Sequence, residues 1–194
     1  GSGNYATSTL IPAFKSAGAK LKSISSASGV SGLHAARKFG FQETTSDFNE
    51  ILNDKKVQTV VIATRHDTHA DLIIECLKKG KHVFVEKPVC LNMRELEKIQ
   101  RIEKKSSSIL MIGFNRRFSP HVKEIKKKLS NFSGPKSMIA TINAGALPND
   151  HWIHDQDIGG GRIIGEVCHF VDLLRFLSGV PISKFQKFEM NATN

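Results

Sequence analysis

The sequence predicts an α/β fold built on a doubly wound parallel sheet, and three features point to it. Short apolar runs alternate with amphipathic helical segments, the pattern of βαβ units. The run Val57 to Ala63 is continuously apolar and β-branched apart from Gln58 and Thr59, as a strand buried on both faces requires. The opening Gly1-Ser2-Gly3-Asn4-Tyr5-Ala6 matches G-x-G-x-x-G/A, the turn that carries a dinucleotide pyrophosphate. At 194 residues and 40% hydrophobic, the chain is long enough to bury a core.

Each element follows from local pattern. A first helix is expected over 7–17, with Pro12 tolerated in its opening turns. Strands are expected over 21–26, 57–63, 82–85 and 109–113, and helices over 32–39 and 48–53. Asp67 is expected to cap a helix through Lys79 whose inner face is Leu72, Ile73, Cys76 and Leu77, with Gly80 closing it. Asn92 with Glu95 forms a capping-box pattern for a helix to about residue 104. Ser119-Pro120 reads as an N-cap followed by proline at the first helical position, opening a helix to 130 with Val122, Ile125 and Leu129 inward. Beyond Pro135 a strand is expected over 136–143, a long polar loop over 144–161, a helix over 164–177 and a final strand over 182–190. A domain boundary near Phe118 gives two parts, 1–118 and 119–194.

Composition excludes several classes. The formal charge of +10 comes from lysines spread over helix surfaces (Lys78, Lys79, Lys81, Lys104, Lys105, Lys126, Lys127, Lys128) with no aromatics between them. They read as solvated faces, and no nucleic-acid partner is expected. No apolar run approaches the roughly 20 residues of a membrane span. The opening Gly-Ser-Gly-Asn has neither the basic nor the apolar segment of a secretory leader. Cys76, Cys90 and Cys168 lack metal-ligand spacing and are expected to be reduced thiols. The expectation is a cytoplasmic protein without a metal.

At the fingerprint, Gly1 permits a tight turn, Gly3 a close backbone approach to pyrophosphate, and Ala6 close helix–strand packing. Asn4 and Tyr5 lie at the helix start that faces the phosphates. A Gly-Ser-Gly opening is also what an expression scar looks like. Where an acid would read the ribose 2′-hydroxyl the chain has Ser26, with Ser28 nearby. Neither repels a 2′-phosphate, so the cofactor is NAD or NADP with a slight lean to NADP; the same serines also suit a polar turn ending a strand.

The stretch Lys81-His82-Val83-Phe84-Val85-Glu86-Lys87-Pro88 ends a buried strand in a charged pair at the carboxyl edge of the sheet, where ligands bind. A lysine there can hold a substrate hydroxyl. Together with Ala63-Thr64-Arg65-His66-Asp67-Thr68-His69, Gly113-Phe114-Asn115-Arg116-Arg117-Phe118-Ser119-Pro120, and Gly159-Gly160-Gly161 followed by His169 and Asp172, it resembles the Gfo/Idh/MocA family in the right order. The Arg65-His66-Asp67 and Asn115-Arg116-Arg117 motifs also resemble the dehydrogenase half of longer two-part proteins.

The resemblance implies a Rossmann domain followed by an α/β domain with an open, mostly antiparallel sheet. It implies hydride transfer between nicotinamide and a hydroxyl-bearing carbon of a sugar, cyclitol or sugar nucleotide. Lys87 then orients and polarises the substrate oxygen, and His169 is the acid/base. Thr64, Arg65, His69, Glu86 and Lys87 join the cofactor residues. Many members carry an Asp four residues before the histidine; here that position is Gly165, and Glu166 is the candidate replacement. The loop residues Trp152, His154 and Asp155 are candidates to wall the substrate pocket, and Arg116 and Arg117 to brace the domain junction. A non-catalytic dinucleotide- or sugar-sensing regulator on the same fold is the alternative. No strand precedes the fingerprint and 119–194 is short for the second domain, so a fragment of a longer protein, homo-oligomeric at full length, is expected.

Overall fold

The computed structural model describes residues 1–27 and 29–188, and among these parallel pairing organises every strand. β3 (Thr59–Ile62), β4 (His82–Val85) and β5 (Leu110–Ile112) form one ladder in the order β3-β4-β5, with Val60 opposite Val83 and Val85 opposite Ile112. β1 (Ser23–Ser25) pairs with β2 (Glu43–Thr45) in a second ladder. Among the described residues no pairing joins β1 to β3. β2 was not evident in the sequence: Glu-Thr-Thr has no apolar alternation, and it is a strand only because β1 offers it a register.

The helices are α1 (Ile11–Ser16), α2 (Val30–Phe39), α3 (Phe48–Asn53), α4 (His69–Lys78), α5 (Met93–Glu103), α6 (Pro120–Ser130) and α7 (Cys168–Ser178). Their caps explain their starts. Asp47 accepts the Asn49 N–H at 2.8 Å for α3, and Ser119 accepts the Val122 N–H at 3.3 Å for α6. At α5, Asn92 Oδ1 accepts the Glu95 N–H at 3.0 Å while Glu95 Oε2 accepts the Leu91 N–H at 2.9 Å, so the box closes one residue early. α1 is preceded by a π-turn over Ala6–Leu10, where Pro12 has no N–H to return to the preceding turn.

Asp67 does not cap α4. It lies within a 3₁₀ turn, His66–Thr68, and its backbone N–H donates to the Ile158 carbonyl at 3.2 Å. The expected strands over 136–143 and 182–188 are absent, because no neighbour supplies a ladder; Ile139 is 92% exposed. Residues 189 and 190 of the last expected strand lie outside the described residues. On α6, Val122 and Leu129 are only half-buried and Ile125 is exposed, since no residue of that helix reaches a core.

The chain divides into two compact units, the first of Gly1–Gly113 with Ala146–Cys168 and the second of Phe114–Gly145 with His169 onward. The first holds the core, in which Val60, Ile62, Ile73, Cys76, Val83 and Val85 interlock between β3, β4 and α4. Burial pushes the Cys76 thiol up to about 12, so it is an inert packing group, and all three cysteines are free. Lys81 is no solvated-face lysine: it is buried, and its Nζ donates to the Asp54 and Val57 carbonyls, both at 2.6 Å, fastening the α3–β3 turn to the start of β4.

In the second unit, Arg117 pairs with the buried Asp172, its Nε at 2.6 Å from Oδ2, and its guanidinium lies over Phe176. The hydrogen bonds to Asp172 hold the Arg117 pKa above its ordinary value. Arg116 stacks over Phe170 at 4.5 Å. Both arginines thus brace α7 from within this unit. Among the described residues no helix is long and apolar enough to cross a membrane.

Ile73 is a large side chain of this core with no exposed surface. Ile73→Ala is expected to cost about 2–5 kcal/mol, whereas Val30→Ala on the exposed face of α2 is expected to stay within about 0.5 kcal/mol. Urea midpoints of the two variants against the parent measure the difference, and equal midpoints would place the core elsewhere.

Candidate active site

Two loops leave the carboxyl ends of neighbouring parallel strands and carry most of the site. Ala63 to His69 follows β3, and Glu86-Lys87-Pro88 follows β4, with a cis Lys87–Pro88 peptide. The register that sets Ile62 opposite Val85 brings the loops side by side, and the Glu86 N–H donates to the Ile62 carbonyl at 2.9 Å. His69 fastens one loop to the other. Its Nδ1 lies 2.7 Å from the Pro88 carbonyl and its Nε2 3.3 Å from the Thr64 carbonyl.

The fingerprint turn reaches the same edge. A Cβ on Gly1 would stand 2.1 Å from the Ala63 carbonyl oxygen, so only glycine fits, whereas a Cβ on Gly3 would meet nothing. Ala6 is buried, as close helix packing requires, and the Gly3 carbonyl accepts both the Thr7 N–H and its hydroxyl. Asn4 and Tyr5 are exposed at the helix start. This glycine cradle fits a pyrophosphate. Ser26 Oγ accepts the Gly32 N–H at 2.9 Å, at the start of α2, so the serine has a structural role that does not depend on a 2′-phosphate. Ser28 lies outside the described residues.

Glu86 is buried, and its Oε1 has no hydrogen-bond partner. Burial raises its pKa, opposed by the neighbouring Lys87 charge. A Cβ on Gly113 would stand 2.7 Å from that oxygen, so the glycine after β5 makes room for the carboxylate. Lys87 Nζ donates to the Gly165 carbonyl at 2.7 Å. Thr64 and Arg65 are exposed, and Arg65 lies 5.1 Å over the Trp152 ring. His69, in contrast, has no exposed surface and lies between the Thr64 and Pro88 carbonyls.

The loop holding Trp152 docks on this edge. Trp152 packs edge-on against His66 at 4.8 Å between centroids, and His66 Nδ1 lies 2.8 Å from the Gly159 carbonyl. Asp155 organises the loop, its carboxylate accepting the Asp157 and Ile158 N–H groups, and Asp155 and His154 are both exposed. Glu166 accepts from Arg162 at 2.7 Å. His169 belongs to the second unit, where it lies edge-on to Phe114 at 6.2 Å between centroids. The sequence reading missed His66, Ile153 and the Gly165 carbonyl. His66 stands within a quoted motif, but an isolated histidine carries no sign of the distant loop it contacts.

A profile of the Gfo/Idh/MocA oxidoreductase family, described as having an NAD-binding Rossmann fold, matches residues 1–114. The chain belongs to that family. It is 31% identical over 149 residues to myo-inositol 2-dehydrogenase of Thermotoga maritima, covering 76% of this chain and 44% of that one. Over 154 residues it is 31% identical to levoglucosan dehydrogenase of Pseudarthrobacter phenanthrenivorans, covering 75% and 39%. A solved levoglucosan dehydrogenase in complex with NADH and levoglucosan superposes with a TM-score of 0.78 at 27% identity, over 91% of this chain and 52% of that chain. The chain thus spans less than half the length of these two curated relatives.

Burial lowers the pKa of both His66 and His69 from 6.5, opposed in part by the carbonyls they face. Below 6.5 and above the lowered native values, the unfolded chain binds protons that the native state does not. Stability is therefore fully present above that window and falls as pH falls through it. Urea midpoints taken from about pH 8 to about pH 5 are expected to decline on the acid side, and His69→Gln to flatten the decline. An undiminished slope in the variant would assign the loss to other groups.

Proposed function

We propose that the protein transfers a hydride between a nicotinamide cofactor, NAD or NADP, and a hydroxyl-bearing carbon of a sugar, cyclitol or sugar nucleotide. The observation that carries the reading is the meeting, at one carboxyl edge of β3 and β4, of the glycine cradle with the loop that presents Lys87. The names of the relatives support a dehydrogenase over a sensing regulator. In this reading residues 1–118 are the dinucleotide-binding domain and 119–194 begin a substrate domain.

A nicotinamide held by these residues would supply the acceptor for the hydride of the carbinol carbon. The chain's own residues manage binding and the proton. Gly1, Gly3, Asn4, Tyr5 and Ala6 receive the pyrophosphate, with Thr64, Arg65 and Glu86 along the same edge. Lys87 donates a hydrogen bond to the substrate oxygen and stabilises charge developing there. His169 takes the hydroxyl proton as the carbonyl forms, a role that suits an imidazole. Glu166, tied to Arg162, is the candidate carboxylate on the segment before it. Trp152 forms an aromatic wall beside Arg65 and His66 that suits the apolar face of a sugar ring. We place the protein in the cytoplasm, as a homo-oligomer at full length with no nucleic-acid partner.

A panel of polyols and nucleotide sugars, offered to the full-length protein with NAD and NADP side by side, tests the reaction class. Lys87→Ala and His169→Ala are each expected to lower kcat by about 10²–10⁴, with the dissociation constant for the cofactor little changed by His169→Ala in fluorescence titration. Wild-type turnover in both variants would sink the assignment.

A further inference from the structure

Resting on the reading of Lys87 as catalytic, we propose that Gly165 is a positioning residue for Lys87, acting through its main-chain carbonyl and through its lack of a side chain. Three observations meet here. Residues Ile163–Val167 form a π-turn, in which the Cys168 N–H donates to the Ile163 carbonyl five residues back. Such a turn is wider than an α-turn and re-aims its carbonyls. The Gly165 carbonyl points at Lys87, and Nζ donates to it at 2.7 Å. The space on the other side of Gly165 is filled: a Cβ there would stand 2.9 Å from Ile153 Cδ1 and 3.1 Å from His66 Cε1.

Both neighbours are buried. Ile153 is buried, and Gly159 packs so closely on its backbone that a Cβ at 159 would stand 2.4 Å from the Ile153 Cα. His66 is held by the Gly159 carbonyl. A side chain at 165 therefore meets both, and the turn shifts to accommodate it, taking the carbonyl out of the place where Lys87 Nζ holds it. The nearest acid on the turn, Glu166, is engaged by Arg162. Lys87 is thus held by a neutral acceptor that cannot take its proton, which leaves two ammonium hydrogens for a substrate oxygen. The titratable groups whose charges act on or beside Lys87 are Glu86, His66 and His69.

The test uses the full-length protein and two readouts. The first is trace acetylation of Lys87 with acetic anhydride, measured by mass spectrometry against the exposed Lys20. The second is kcat on the best-turned-over polyol of the panel, with the cofactor dissociation constant as control. In Gly165→Ala the labelling of Lys87 is expected to rise several-fold and kcat to fall by about 10 to 10², with cofactor affinity held. Ile153→Val removes the Cδ1 in the way, so Gly165→Ala/Ile153→Val is expected to regain both. In a Lys87→Ala background Gly165→Ala is expected to lower kcat no further. Unchanged labelling of Lys87 in folded Gly165→Ala, or an equal fall in both backgrounds, overturns the proposal. If Gly165→Ala does not fold, the double variant is read against Ile153→Val alone; a kcat deficit with Lys87 labelling unchanged overturns it. The labelling does not depend on turnover, whereas full activity in Lys87→Ala alone would refute the catalytic reading of that lysine.

Discussion

Parallel pairing of β3 with β4 fixes where the functional side chains of the first unit stand. The pair is buried by α4 and α5, and its register sets Ile62 opposite Val85. Both strands therefore end at the same height, and the loops that follow them, 63–69 and 86–88, emerge together. Antiparallel strands would send those ends to opposite edges. Once the ends coincide, one imidazole is enough to tie the loops, and His69 does this from a fully enclosed position. The ordered backbone edge that results is what lets Gly1 approach the Ala63 carbonyl so closely.

Close approach is the second constraint, and glycines mark where it operates. Gly1 meets the end of β3, Gly113 makes room for the Glu86 carboxylate, Gly159 lies on the backbone of Ile153, and Gly165 lies on Ile153 and His66. The contacts of Gly1, Gly113 and Gly165 reach segments far apart in sequence, that of Gly165 through His66, whereas Gly159 closes its own loop. Gly3 differs, because nothing stands near it, and open space beside a helix start is what an approaching anion needs. The two glycines of the fingerprint therefore differ in their surroundings: one seats the turn on the end of β3, and the other faces open space.

Sequence patterning revealed the elements that bury a regular face. The bounds expected for α3 and β4 agree with the structure, and the Asn92–Glu95 and Ser119 caps are present, because cap chemistry is local. It failed where the deciding partner was remote. Segments 136–143 and 182–188 have strand-like composition but no ladder, and β2 has a ladder without apolar alternation. Asp67 looked like a cap, yet its N–H answers to Ile158 across a long stretch of chain. The site divides the same way. Lys87 and the fingerprint glycines were legible as motifs; the carbonyl that holds Lys87 was not, since every residue carries a carbonyl and only the π-turn singles out this one.

Two lysines and two histidines of the first unit share a solution to burial. Lys81 gives its protons to the Asp54 and Val57 carbonyls, Lys87 to that of Gly165, while His66 faces Gly159 and His69 faces Pro88. None of these bonds is to a carboxylate. Pairing each with a buried acid would add the desolvation of a second charge, which the attraction does not reliably offset. A peptide carbonyl costs less to enclose and does not titrate. It also belongs to the backbone, so each bond fixes a loop as well as satisfying a side chain. The acid that is enclosed, Glu86, stands out against this background. Its Oε1 has no hydrogen-bond donor, although the edge it occupies is otherwise fastened at each turn. Its enclosure under Gly113 raises its pKa, and the neighbouring Lys87 charge opposes that shift.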